Sequence, residues 1–188
     1  MNRRTLTVLF SVAGGLLLLF VLLPLAATLI STSPAELGEA LGDPEVGNSL
    51  ALTLTASAIA TVLVMVTGIP LAYLLARRRF PGRRLVESLI DLPIVIPHTA
   101  AGIALLMVLG SRGVVGRTLA PLGITFVDSV AGVVAAMAFV SLPYLVNLSR
   151  EAFALVDVEL EQAALVDGAT AWQSFRLVVL PIAWRGVV

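Results

Sequence analysis

The stretch LALTLTASAIATVLVMVTGIPLAYLLA, residues 50–76, contains no charged side chain. An α-helix rises about 1.5 Å per residue and the hydrocarbon core of a bilayer is about 30 Å thick, so roughly 20 such residues cross it. The chemistry on the two sides of the stretch is opposite. Glu36, Glu39, Asp43 and Glu45 precede it, and Arg77, Arg78, Arg79, Arg83 and Arg84 follow it. Three further stretches have the length and apolarity of a span: 6–30, 88–109 and 130–148, with Asp91 near one end of the third span in chain order. The chain therefore reads as an all-α, polytopic membrane bundle with four spans.

Composition points the same way. Apolar residues make up 59% of the 188, charged residues 13%, and mean hydropathy is +1.02. A soluble domain carries about 25% charged residues and needs polar groups to cover itself. The formal net charge is zero, so no basic field for nucleic acid is implied and no nucleic-acid partner is expected. The absence of Cys excludes disulfides, thiol catalysis and cysteine-ligated metals together. A lone His98 is not a metal site.

Arg placement orients the spans. Arg3 and Arg4 precede the first, the five-Arg loop lies between the second and third, and Arg150 follows the fourth; the loop after the third has only Arg112 and Arg117. The N-terminus and the segment after Arg150 are expected in the cytoplasm, and the protein in the cell membrane as a multi-pass chain surrounded by lipid. The Arg3–Arg4 pair also permits a signal-peptide reading. The apolar run that follows exceeds the roughly 7–15 residues of a signal core, which favours an uncleaved span. Residues 1–47 are then a first helix with an external loop.

Proline interrupts two spans. Pro93 and Pro97 lie one helical turn apart, and each removes a backbone donor and crowds the preceding turn, so a bend or break is expected there. Carbonyls freed in lipid need partners within a bundle or a wet cavity; Asp91, Pro93 and Pro97 thus mark either a pathway or a packing kink. His98, placed by continuous helical rise near the midplane, is either a pathway group or a neutral side chain bonded to a neighbouring helix. Pro143 predicts a kink in the fourth span, where Tyr144 and Asn147 are interfacial anchors or interhelical partners. Gly102 and Gly132 are read as points of close helix approach.

After Arg150 the character changes. Residues 161–181 read EQAALVDGATAWQSFRLVVLP, preceded by Asp157 and Glu159. Two short helices fit. The first ends near Asp167, where Gly168 can close it in the left-handed conformation. The second starts after Thr170, which has capping-box spacing to Gln173. Trp172, Phe175 and Val179 then share a face, and Pro181 limits the second helix or starts the next element. Such a knob suits a partner's groove; the alternative is a connector on the membrane surface, where its acidic residues would meet anionic lipid heads.

These residues carry a resemblance. Gln162-Ala163-Ala164, three residues, Gly168, nine residues, Val178, one residue and Leu180-Pro181 resemble the EAA motif of ATP-binding-cassette import permeases, with Gln162 in place of Glu and Glu161 just before it. Upstream, residues 78–84 (RRFPGRR), 91–98 (DLPIVIPH) and 132–143 resemble the molybdate, tungstate and sulfate branch of that family. The resemblance covers about residues 48–188, read as one permease domain. It implies a MetI-like bundle working as a homodimer, and a family pattern of six spans. Cytoplasmic ATPase subunits would dock on Glu161, Gln162, Ala163, Ala164, Gly168, Ala169, Leu180 and Pro181, and an external binding protein would deliver cargo. No cofactor is then bound by this chain; ATP and Mg sit on the partner, and the permease itself hydrolyses nothing.

Molybdate or tungstate is the expected cargo, with sulfate or thiosulfate as the alternative. A secondary transporter would leave the knob unexplained and usually shows internal repeats. A membrane-embedded enzyme would need several convergent polar groups at one depth. The seven residues after Pro181 look like the opening of a fifth span, so the reading frame is expected to continue past Val188.

Overall fold

The computed structural model describes residues 2–187. Ten α-helices are described: α1 (Arg3–Ser31), α2 (Pro34–Gly42), α3 (Pro44–Arg77), α4 (Arg83–Val95), α5 (His98–Leu109), α6 (Val114–Leu119), α7 (Val130–Leu155), α8 (Val158–Val166), α9 (Ala171–Ser174) and α10 (Leu180–Val187). A 3₁₀ turn, Ala120–Leu122, follows α6, and a π-helical segment, Phe175–Val179, joins α9 to α10. Val188, where the expectation of a longer reading frame falls, lies outside the described residues. The chain divides into two compact units at Ala51 and Leu52, inside α3.

In the first unit α1 buries no residue and carries Pro24 within it. A helix apolar on all sides has no water-facing stripe, which suits lipid. α2 begins with a capping box: the Glu36 amide donates to Ser33 Oγ at 3.2 Å and the Ser33 amide to Glu36 Oε2 at 2.9 Å. Pro34 at the first helical position loses no bond by lacking an N–H.

In the second unit the buried positions of α3 are Ala56, Ala60, Val64, Gly68, Ala72 and Leu75. Five of these recur every fourth residue, forming a seam of mostly small side chains. Against it packs α7, whose buried face is Val134, Pro143, Val146, Ser149 and Phe153. The seam is tight at Gly68, where an added Cβ would stand 2.9 Å from Leu145 Cδ2 and 3.2 Å from Val146 Cγ2. The expected points of approach differ. Gly102 has nothing within 4 Å of a Cβ position, and the nearest neighbours of Gly132 are backbone atoms of Phe126, in the loop before its own helix.

Among the described residues, four helical segments are long and apolar enough to cross a membrane: Arg3–Ser31, Pro44–Arg77, His98–Leu122 and Val130–Leu155. The third differs from the expected 88–109. The chain breaks between α4 and α5, with Ile96 extended at φ −79°, ψ 132° and Pro97 at φ −54°, ψ 138°. A residue before proline is pushed out of the helical region, so the break falls at Ile96 while Pro93 stays buried within α4. His98 becomes the first residue of α5 and is exposed. Its depth by continuous rise no longer applies, and among the described residues no neighbouring helix offers it a hydrogen bond. α7 continues through the buried Pro143 as one helix.

Candidate functional site

The segment after α7 is a helix, a glycine turn and a second helix, as the sequence indicates. The Asp157 side chain accepts from the Glu159 amide and starts α8. At the other end Gly168 takes φ +90°. Its amide donates to the Leu165 carbonyl at 3.1 Å and the Ala169 amide to the Ala164 carbonyl at 3.0 Å. This paired closure satisfies carbonyls a helix end otherwise leaves free, and it requires the left-handed residue that glycine supplies without a Cβ clash. α9 opens with the expected capping box: the Gln173 amide donates to Thr170 Oγ1 at 3.2 Å and the Thr170 amide to Gln173 Oε1 at 2.8 Å.

Pro181 stands near the start of an element, the second of the two expected alternatives. It is the second residue of α10, yet no break precedes it: helical structure runs without interruption from 171 to 187. The π segment explains this. The Leu180 amide reaches back to the Phe175 carbonyl, one residue farther than in an α-helix. The widened turn relieves the crowding a proline ring causes one turn back.

The knob has two faces. Gln162, Ala163, Leu165, Val166, Gly168 and Trp172 are exposed, Val166 to 86% and Trp172 to 64%, while Ala164, Ala169 and Leu180 are half-buried and Pro181 is exposed. Glu161, expected among the residues meeting a partner, turns inward. Its carboxylate receives Arg77 Nε at 2.5 Å and the Tyr73 hydroxyl at 2.8 Å, both from the last turns of α3. A carboxylate taken out of water needs a cation and donors, and α3 supplies them. Arg77 Nη2 also ion-pairs with Glu161 and donates to the Val156 carbonyl at 2.9 Å, at the C-cap of α7.

Below this polar group lies an aromatic cluster. Tyr73 meets Phe153 edge-on at 5.7 Å between centroids and Phe175 at 4.7 Å; Phe153 and Phe175 are 5.9 Å apart. Phe175 and Val179 are buried as their shared face implies, whereas Trp172 leans on Phe175 at 5.5 Å from the exposed side.

The residues marked by the interrupted spans are only partly brought together. Asp91 accepts a 2.7 Å bond from Asn147 Nδ2, so Asn147 is an interhelical partner between α7 and α4. One turn away Glu87 pairs with Arg83 at 3.0 Å and Arg150 at 3.2 Å. Pro97 and His98 stand outside this seam, exposed. Sequence reading missed Tyr73, Arg77, Phe153 and the Glu87–Arg150 pair. A signal was present for two of them: Tyr73 and Arg77 are four apart on α3, one helical face, and Arg77 is the Arg of the loop nearest the span.

Four apolar spanning segments and a capped helical pair after the last of them define a multi-pass helical membrane protein. Residues 68–188 match the family described as binding-protein-dependent transport system inner membrane component, and this chain belongs to that family. It is 34% identical over 189 residues to the molybdate/tungstate transport system permease protein of Thermococcus kodakarensis, covering 100% of this chain and 71% of that protein. It is 37% identical over 179 residues to the sulfate transport system permease protein of Escherichia coli, covering 92% and 65%. A solved bacterial alginate ABC transporter, in complex with alginate pentasaccharide-bound periplasmic protein, shares the fold with a TM-score of 0.75 and 19% identity, covering 98% of this chain and 68% of that one.

Proposed function

We propose that this chain is the permease component of an ABC importer that carries a tetrahedral oxyanion, molybdate or tungstate ahead of sulfate, inward across the cell membrane. The observation that carries the reading is the knob. Its outer face exposes Gln162, Ala163, Leu165, Val166 and Trp172 to the surroundings, while Glu161 holds its inner face to α3. An exposed apolar surface on a rigidly capped pair is suited to a partner's groove. Cytoplasmic ATPase subunits are the partner in this reading. They bind ATP and Mg, the permease itself contributes no hydrolysis, and closure of the ATPases displaces the knob and switches the bundle between two states. An external binding protein supplies the cargo, two permease copies surround the path, and the N-terminus is cytoplasmic. Residues 48–188 act as the permease domain, with 1–47 as an added first helix and external loop. Relatives that transport molybdate and tungstate support the cargo; the sulfate relative makes sulfate the second reading.

The test is expression with its ATPase and binding protein in a strain lacking its own molybdate importer. Uptake of molybdate above sulfate is the expected result; uptake of a sugar or amino acid with no oxyanion would overturn the cargo. Gly168→Asp forces a Cβ into the left-handed turn, a strain of about 1–2 kcal/mol, and puts a charge on the docking face. It is expected to lose copurified ATPase or uptake at normal membrane level. Ala163→Asp is expected to act likewise, and Gln162→Glu to be close to silent. Normal uptake by Gly168→Asp would reduce the knob to a connector.

A further inference from the structure

The inner face of the knob is built differently from its outer face, and the difference has a consequence for how a push on the knob travels. Arg77 stands at the end of α3 and its guanidinium holds two separate elements at once: the Glu161 carboxylate of α8 and the Val156 carbonyl that closes α7. Tyr73, one turn earlier, holds the second oxygen of the same carboxylate and seats its ring between Phe153 of α7 and Phe175 of the π segment. The last turn and a half of α3 thus touches α7, α8 and the π segment. The pair is shielded: the Arg77 and Glu161 side chains are only 11% and 12% exposed.

Apolar contacts are non-directional, so a helix held by them alone can slide and repack when pushed. A planar guanidinium with fixed donors holds both distance and orientation, and burial removes the water that would let an exposed pair exchange partners. We propose that Arg77 and Tyr73 are positioning residues for transport: with Glu161 they form a buried clamp that makes displacement of the knob move α3 and the end of α7 together, instead of being absorbed at the junction. The inference rests on the importer reading above. It also assigns Glu161 the role of transmitting motion inward, not of touching the ATPase.

The test uses the complete importer, permease with ATPase and binding protein, reconstituted in liposomes, with molybdate and sulfate supplied in parallel. The readout is ion taken up per ATP hydrolysed. Replacing the buried pair by apolar side chains in the double variant Arg77→Met/Glu161→Leu removes the directional link without leaving an unpaired charge. The expected result is normal membrane level and normal copurified ATPase, with uptake per ATP lowered about tenfold, within the usual range of coupling between sites. Tyr73→Phe keeps the ring packing and deletes one hydroxyl donor; a smaller drop, about two- to threefold, is expected. Arg77→Lys keeps the charge without the fork and is expected to fall between them. A wild-type ratio in the double variant overturns the clamp. If the double variant does not reach the membrane, an unchanged ratio in Tyr73→Phe and Arg77→Lys overturns it. If the wild-type assembly hydrolyses no ATP and moves neither ion, the importer reading itself falls, and the clamp with it.

Discussion

The middle of α3 and its last turns are held by opposite means. From Ala56 to Ala72 its buried face is Ala, Ala, Val, Gly and Ala, set against Val134, Val146 and their neighbours on α7. In its last turns the same helix presents Tyr73 and Arg77 to two phenylalanines, a buried carboxylate and a backbone carbonyl. Lipid tails are as apolar as side chains, so burial from lipid gives helices little reason to associate. Close backbone approach through small residues does. At the water-facing end the hydrophobic effect acts in full, and large aromatic surfaces hold the junction. One helix therefore needs smallness along its length and bulk at its end.

Opposite substitutions should break the two regions. The largest effect is expected from Phe153→Ala, which empties a fully buried ring site at the junction. A cost of about 3–5 kcal/mol is typical of such truncations, measured as a lowered unfolding midpoint of the purified protein in detergent. In the small-residue seam truncation is not available and enlargement is the damaging change. Gly68→Leu places a side chain where even a Cβ crowds Leu145 and Val146, at about 1–3 kcal/mol by the same measurement. If Gly68→Leu were neutral while Phe153→Ala was severe, the seam would not be held by close approach. Thr170→Ala removes the cap of α9 without touching the junction, and about 1 kcal/mol is expected. It separates the knob's local order from its anchoring, because the Arg77–Glu161 link should survive it. The smallest effect is expected from Gly102→Ala. Nothing lies within 4 Å of the new Cβ, and a mid-helix alanine is favoured by roughly 0.5–1 kcal/mol, so unfolding should be unchanged or slightly delayed.

Much of the local architecture was legible because it depends on near neighbours in the chain. The apolar runs of spans one, two and four, the break at Pro97, the left-handed Gly168 and the Thr170–Gln173 box each follow from residues within a turn or two of one another. The misreadings have a common cause. The residues marked for close approach were Gly102 and Gly132, while those that meet another helix are Gly68 on α3 and Gly186 on α10, both against α7. A glycine shows in sequence, but the partner it approaches does not. Pro181 does lie at the start of α10, but the π turn that keeps the helix continuous into it leaves no clear compositional mark.

What the sequence by itself determined is the membrane class and the capped pair of helices, since hydropathy and capping are properties of contiguous residues. What only the tertiary structure decided is which way the pair faces. Glu161 and Gln162 are adjacent and both polar, and nothing local distinguishes the one that meets the surroundings from the one that is buried. That choice was made by Arg77 and Tyr73, 84 and 88 residues away, because a carboxylate leaves water only where a cation and a hydroxyl are already placed to receive it.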